Sequence, residues 1–140
     1  MRARRLAATL VAGAMLGFGL TTAASAEDVF TSNFSNIPYN FETRRWTDNN
    51  KDSVSTAITL SYCINSSSGG TTADPRLELR RNRTALPDVS HGEKQLGNCR
   101  NATKTGSWGR MTTKGEYFFR YRGVNNTTQR LSASTVKVAW

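Results

Sequence analysis

The chain has 140 residues, with 19 Lys and Arg against 10 Asp and Glu, which gives a formal net charge of +9. This length corresponds to one ordinary domain, and its two cysteines, which lack Cys-x-x-Cys spacing, argue against a redox-active pair or a structural zinc site. The positive charge favours acidic partners through long-range attraction, although it serves solubility equally well.

Residues 1–26 have the three parts of a secretory signal peptide. These are a basic start with three arginines, an apolar run over 6–20 that is too short to span a bilayer comfortably, and small residues at Ala24 and Ala26. We expect cleavage after Ala26, which leaves residues 27–140 as a single secreted domain with a net charge of about +6. The signal is typical of bacteria, and no later segment is apolar enough to cross a membrane, so we expect a free extracellular monomer.

Hydrophobic residues then recur in twos, which predicts strands and not helices. Residues 29–46 are expected to contribute one or two strands. Residues 54–64 are the clearest strand, with Ile58, Leu60, Tyr62 and Ile64 on one face and Ala57, Thr59, Ser61 and Cys63 on the other. Because Cys63 lies opposite the apolar stripe, either the second face is also covered near its end or a bulge turns the cysteine inward.

Cys63 and Cys99 are the only cysteines, and an exported chain with two cysteines is expected to join them in a disulfide. On the chain-entropy model, closing this loop stabilises the fold by about 3.5–4 kcal/mol. The cross-link is therefore interpreted as structural.

Polar, turn-forming residues over 65–72 predict a surface loop. The next strand, residues 76–80, places Leu77 and Leu79 inward and a charged row outward, which Arg81 and Arg83 extend. The pattern weakens over 82–105, which predicts loops and short strands with three core candidates, namely Leu86, Val89 and Leu96.

Two confident strands end the chain, at 116–124 and 135–140. The turn-like residues 123–128 between them predict an antiparallel hairpin. Residues 113–119 resemble the corner that precedes a late central strand in immunoglobulin-like sandwiches, where a tyrosine hydrogen-bonds to nearby backbone. Phe119 stands where that pattern has a cysteine, so the resemblance concerns the fold alone.

Six to eight strands with short connections predict an all-β fold with one disulfide. We expect a small antiparallel β-sandwich, immunoglobulin-like or jelly-roll-like, and keep a small β-barrel as the alternative.

The candidate binding residues are aromatic and basic. Trp46 and Trp108 lie where strands meet loops, where an exposed ring forms an apolar platform for a sugar or a partner protein. Packing in the core or at its rim is the competing interpretation for each. The basic candidates are Arg44, Arg45, Arg76, Arg80, Arg81 and Arg83. A solvated strand face is the simpler interpretation of that row.

Catalytic patterns are weak. His91, the only histidine, lies in a polar stretch with Ser90, where proximity in sequence does not make a triad. A ribonuclease would require His91 to converge with Glu93 or Glu78 and an arginine. Residues 48–52 offer oxygen ligands but lack the pattern of a calcium loop, so a turn is the better interpretation.

We therefore expect a secreted, non-catalytic binding protein without cofactor or metal. Its expected partner is a carbohydrate or cell-wall polymer or a surface protein, and nucleic acid is disfavoured. The first alternative is an inhibitor of a secreted hydrolase that presents the loop 87–92. The second alternative is a small secreted ribonuclease or toxin.

Overall fold

The computed structural model describes residues 25–66, 72–125 and 127–140, which form two four-stranded antiparallel sheets. The strands are β1 (Val29–Ile37), β2 (Trp46–Asp48), β3 (Ala57–Asn65), β4 (Pro75–Arg81), β5 (Val89–Gln95), β6 (Thr103–Ser107), β7 (Gly115–Val124) and β8 (Leu131–Ala139). The predicted signal peptide up to Ala24 and residues 67–71 of the predicted loop lie outside the described residues. The predicted all-β sandwich is confirmed, and the segment 29–46 supplies two strands.

The strand order identifies the type of sandwich. One sheet has the order β1-β8-β3-β6 and the other β2-β7-β4-β5. β1 therefore pairs with β8, β2 with β7, β3 with β6 and β4 with β5. This is the pairing of one long hairpin that has its tip between β4 and β5 and is folded into two sheets. This nested pairing is the jelly-roll arrangement, and it decides between the two sandwich types that the sequence left open.

The predicted terminal hairpin is wrong. β7 and β8 belong to different sheets, where β7 pairs with β2 and β4, and β8 pairs with β1 and β3. The turn after Gly123 therefore crosses between sheets. Short-range turn signals cannot distinguish these two outcomes, because both need the chain to reverse within a few residues.

The tyrosine corner is present although the topology is not that of an immunoglobulin domain. The Tyr117 hydroxyl donates to the Thr113 carbonyl oxygen at 2.6 Å. This bond satisfies the polar end of a ring that is otherwise fully buried between the sheets.

The core lies between the two sheets and is built by the predicted alternation. Leu77 and Leu79 of β4 and Ile58 and Leu60 of β3 are fully buried, and all four belong to the hydrophobic core. The predicted inward face of β7 is also confirmed, since Tyr117, Phe119 and Tyr121 are buried there. Val136, Val138 and Trp140 are buried as predicted at the end of the chain.

The alternation of β3 changes phase at Tyr62. Ile58, Leu60 and Cys63 are buried, whereas Tyr62 and Ile64 are 62% and 60% exposed. Tyr62 has φ of 52°, which is left-handed backbone. Cys63 is therefore turned inward, but by the left-handed backbone of Tyr62 and not by a bulge, since β3 keeps its register against β8. The placement of Tyr62 and Ile64 on the core face is wrong. Cys63 forms the predicted disulfide with Cys99.

The weakly patterned stretch 82–105 contains two strands, β5 and β6, and one of its core candidates is wrong. Leu96 is buried and Val89 half-buried, but Leu86 is 61% exposed at the β4–β5 connection. His91 lies in β5 and not in a loop. Edge strand β5 is almost wholly solvent-exposed, so it lacks the apolar alternation by which a strand is recognised.

Candidate functional site

The two candidate tryptophans are not exposed platforms. Trp46 is 4% exposed, and its ring packs against Phe119 and Trp140 with centroid distances of 5.4 and 5.6 Å. Trp108 is half-buried, 4.9 Å from the Phe119 ring centroid, and its indole N–H donates to the Gly92 carbonyl at 2.8 Å. For both residues the packing interpretation agrees with the structure.

The outer face of the sheet β2-β7-β4-β5 carries a network of ion pairs. Arg80 and Arg122 flank Glu78, which is only 6% exposed, at 2.9 and 3.8 Å. Within the described chain the network consists of two groups of ion pairs. One group joins Arg45 and Arg120 to Glu42 and Glu116. The other joins Arg76, Arg80 and Arg122 to Glu78, Asp88 and Glu93.

Each group of this network has as many carboxylates as arginines, so the network has no net charge although it contains Arg76 and Arg80 of the basic row in β4. Its guanidinium groups also cover Phe118, which points away from the core and yet is fully buried, with Arg45 and Arg120 at 4.9 and 5.8 Å from its ring centroid. Arg45, Arg76 and Arg80, three of the predicted binding residues, therefore hold carboxylates of their own sheet. A polyanion would have to displace those carboxylates to bind here.

The other three candidate arginines, Arg44, Arg81 and Arg83, lie outside this network. Arg44 is exposed and its Cζ lies 4.8 Å from the centroid of the Phe30 ring. Arg83 donates through Nε to the Pro87 carbonyl at 2.8 Å. Arg81 lies beside Tyr117. Partial burial lowers the pKa of His91, and the positive charge of Arg81 lowers it further.

The arrangement needed for a ribonuclease is not formed. The His91 ring lies 5.6 Å from the Tyr117 ring, on the Arg81 side of the sheet. Glu93 instead pairs with Arg76 and Arg122 on the outer face. Gly92, with φ of 94°, lies between His91 and Glu93 where the β4–β5 register shifts. Two residues that would share a side in a regular strand are thereby separated.

The segment 48–52 is a loop whose backbone N–H groups donate to two carboxylates, its own Asp48 and Glu27. Asp48 accepts the Asn50 N–H at 2.7 Å, and Glu27 accepts the N–H groups of Asn49 and Lys51 at 2.8 and 2.5 Å. No cluster of three or more potential metal-binding side chains occurs in the described part of the chain.

Burial raises the pKa of Asp48, with further raising by the charges of Glu27 and Asp52. Because this folded-state pKa lies above the ordinary 3.8, the associated stability is present at low pH and is lost as pH rises through it. Asp48→Asn keeps an oxygen for the Asn50 N–H and removes the buried charge. We expect Asp48→Asn to unfold at higher urea concentration than the wild type at neutral pH. The difference should vanish below pH 3.8.

The matched control is Asp28→Asn, which removes the same charge from an exposed position. If Asp48→Asn increases the stability against urea as much at acidic pH as at neutral pH, the effect does not come from titration of Asp48.

Tyr62 and Ile64 of β3 are the most exposed large hydrophobic residues on the described strands. They lie on the outer face of the sheet β1-β8-β3-β6, at a shallow depression of about 420 Å³. Polar side chains form its rim, namely Asn33, Ser35, Ser132 and Ser134. We call Tyr62, Ile64 and these four residues the Tyr62 platform.

Rows of hydroxyl groups continue this face beyond the platform. Thr59 pairs with Thr105 through their hydroxyl groups at 2.7 Å, and Ser61 pairs with Thr103 at 2.8 Å. Lys137 lies opposite Thr59 in β8 and is the cation of this row. The two broad faces of the sandwich thus differ in character, since one is an ion-paired network and the other is a hydroxyl surface ending in an aromatic ring.

The chain matches no known protein family. Comparisons with curated proteins and with solved structures also find no match. The described residues contain no helix that could span a membrane.

The sequence pattern predicted Tyr62 in the core, although one feature of the sequence could have indicated that it faces outward. Half-cystines of a disulfide are buried, and Cys63 has the opposite parity to Ile58 and Leu60. If Cys63 faces inward, the alternation must change phase before it, and Tyr62 and Ile64 must then face outward.

Proposed function

We propose that the protein is exported and acts without catalysis, by binding an uncharged polysaccharide on the Tyr62 platform. The observation that carries this proposal is the 62% exposure of the Tyr62 ring on a broad sheet face. Aromatic rings pack against the apolar face of a sugar, while surrounding amides and hydroxyls bind the sugar hydroxyl groups. The rim of the platform offers both kinds of polar group.

The backbone at Tyr62 supports a role other than stability. A bulky residue with φ of 52° is strained by about 1 kcal/mol, and glycine or asparagine would adopt this conformation more easily. The ring does not repay that strain by core packing, because most of it is exposed. Strained backbone of this kind concentrates at functional sites.

Electrostatics supports an uncharged ligand. The platform and its rim contain no ionisable group apart from the Tyr62 phenol, and the arginines Arg76, Arg80 and Arg122 on the opposite face are paired with carboxylates. Jelly-roll sandwiches include lectin domains, which supports the proposal by analogy of fold alone. The signal-peptide pattern of residues 1–26 supports an extracellular polymer as the ligand.

Tyr62→Asn tests the platform directly. Asparagine tolerates the left-handed backbone, so the fold should keep its stability while the ring is lost. We expect residues 27–140 to sediment with an insoluble polysaccharide equally at low and high salt. We expect Tyr62→Asn to lower the affinity at least about tenfold, because exposed aromatic anchors carry much of the binding energy.

Leu86→Asn is the matched control, because Leu86 is 61% exposed and belongs to the β4–β5 connection. It should bind like the wild type, and Tyr62→Phe should bind nearly as well. Unchanged sedimentation of Tyr62→Asn, or retention that high salt abolishes, would overturn the proposal.

The β4–β5 connection favours inhibition of a hydrolase as a second candidate function. Its residues are braced by bonds from the Arg83 N–H to Asp88 at 3.2 Å and from Arg83 Nε to Pro87 at 2.8 Å, with Leu86 exposed between them. The predicted inhibitory loop 87–92 is corrected accordingly, because β5 begins at Val89. A one-to-one enzyme complex weakened by Leu86→Asn but not by Tyr62→Asn would favour this candidate.

A further inference from the structure

A second cavity lies at the edge of the sandwich, between β1 and the chain segment that leads into β2. Its volume is about 140 Å³, and it is partly enclosed. Phe30, Phe34, Phe41 and Val136 form its apolar wall. Asn33 and Phe34 line both this cavity and the depression at the Tyr62 platform, so the two sites are neighbours.

The cavity has the size of one small ring. An apolar cavity of about 150 Å³ in a protein interior accepts benzene. Phe34 and Phe41 meet edge to face here with a centroid distance of 5.9 Å, so an aromatic guest would extend an existing aromatic cluster.

Arg44 gives this cavity a positive charge at its lining. Among the described residues no carboxylate forms an ion pair with Arg44, in contrast to the arginines of the outer network. Its guanidinium lies over the Phe30 ring at 4.8 Å, so it adjoins the apolar wall directly. A guanidinium group binds a carboxylate through two parallel hydrogen bonds.

Two further polar groups of the lining differ in their availability. The Thr43 hydroxyl is already engaged, because it donates to the Arg44 carbonyl at 3.0 Å and accepts the Phe119 N–H at 2.9 Å. Asn33 lies where the register of β1 against β8 shifts, between Ser32 and Phe34. A bulge of this kind redirects a side chain, and here Asn33 lines the cavity beside the apolar wall.

We infer that this cavity binds a small organic carboxylate with a single aromatic ring or a similarly compact apolar group. The ring occupies the space between Phe34, Phe41 and Val136, and the carboxylate pairs with Arg44. The volume of the cavity matches a single ring, and the charge of Arg44 selects the acid over its neutral analogues. This inference does not depend on the proposed polysaccharide function.

Benzoate and benzamide are the probes, because they share a ring and differ in charge. We expect saturable binding of benzoate by NMR titration of residues 27–140, with the largest shifts at Phe34, Phe41 and Val136. Benzamide should bind about tenfold more weakly, since it lacks the charge-assisted bonds. Arg44→Gln should lower the benzoate affinity to the level of benzamide.

Arg110→Gln is the control, because Arg110 is equally exposed and bonds to Asn50 in the distant 48–52 loop. It should leave the benzoate affinity unchanged. The inference is overturned if neither probe binds at millimolar concentration, if the shifts map elsewhere, or if benzoate and benzamide bind equally. The comparison of the two probes on the wild-type protein stands even if Arg44→Gln folds poorly.

Discussion

Gly123→Ala is expected to lower the free energy of unfolding by about 3–5 kcal/mol, among the largest effects of a single methyl group in this chain. Gly123 lies at the end of β7 with φ of 98°. A Cβ atom at this position would lie 1.6 Å from the Thr127 carbonyl oxygen and 2.8 Å from its carbon. Backbone that is itself folded into the crossing turn cannot yield as a flexible side chain does.

Gly92→Ala provides the matched control. Gly92 also has a positive φ, of 94°, but a Cβ there would have no neighbour within 4 Å. Gly92→Ala should therefore lower the free energy of unfolding only by the strain of the left-handed backbone, about 1 kcal/mol. Urea unfolding of both variants separates the two effects. Equal losses would show that the approach of Thr127 contributes nothing.

Removal of the Cys63–Cys99 disulfide is expected to lower the free energy of unfolding by about 4 kcal/mol. The bond closes a loop with a sequence separation of 36, for which the chain-entropy model gives this value. Such a loss is a large fraction of the 5–15 kcal/mol that is typical of a domain. Both half-cystines are fully buried, so the cross-link lies in the core.

The double variant Cys63→Ala/Cys99→Ala should show this loss in urea unfolding, and reduction of the wild type should reproduce it. The double variant itself should be insensitive to reductant. Backbone bonds persist in both, because Cys63 N–H donates to the Cys99 carbonyl and Cys99 N–H to that of Ala73. An unchanged unfolding midpoint after full reduction would contradict the prediction.

The sandwich could be predicted from sequence because its central strands are half-buried. Leu77 and Leu79 alternate with charged residues in β4, and this pattern is set by the sheet on which they lie. Edge strand β5 has no such pattern, because neither of its faces is buried. The pairing of β7 with β2 was equally hidden, since it depends on contacts between residues far apart in sequence.

The candidate site was less predictable, for two physical reasons. Trp46 has no local feature that distinguishes a core ring from an exposed one, and its burial results from Phe119 and Trp140 of distant strands. Arg76 and Arg80 were correctly placed on the solvent face, but Arg81 lies beside Tyr117 on the other face of the sheet. Several carboxylate partners of the paired arginines come from other strands and from the segment before β2. Charge density along a sequence therefore overstated the charge available to a ligand.

The nested strand pairing also determines the entropy of closing the chain. Arg81 and Val89 pair across the tip, whereas Ile37 and Leu131 are about 94 residues apart in sequence. Once β2 and β7 are paired, only the connections from Ile37 to Trp46 and from Val124 to Leu131 remain open. Pairing β1 with β8 at this stage closes only these short segments, which lowers its entropic cost by about 1–2 kcal/mol relative to pairing them first. Assembly from the tip outward is therefore the route of lowest entropic cost, and the disulfide fastens the end of its second pairing, β3 with β6.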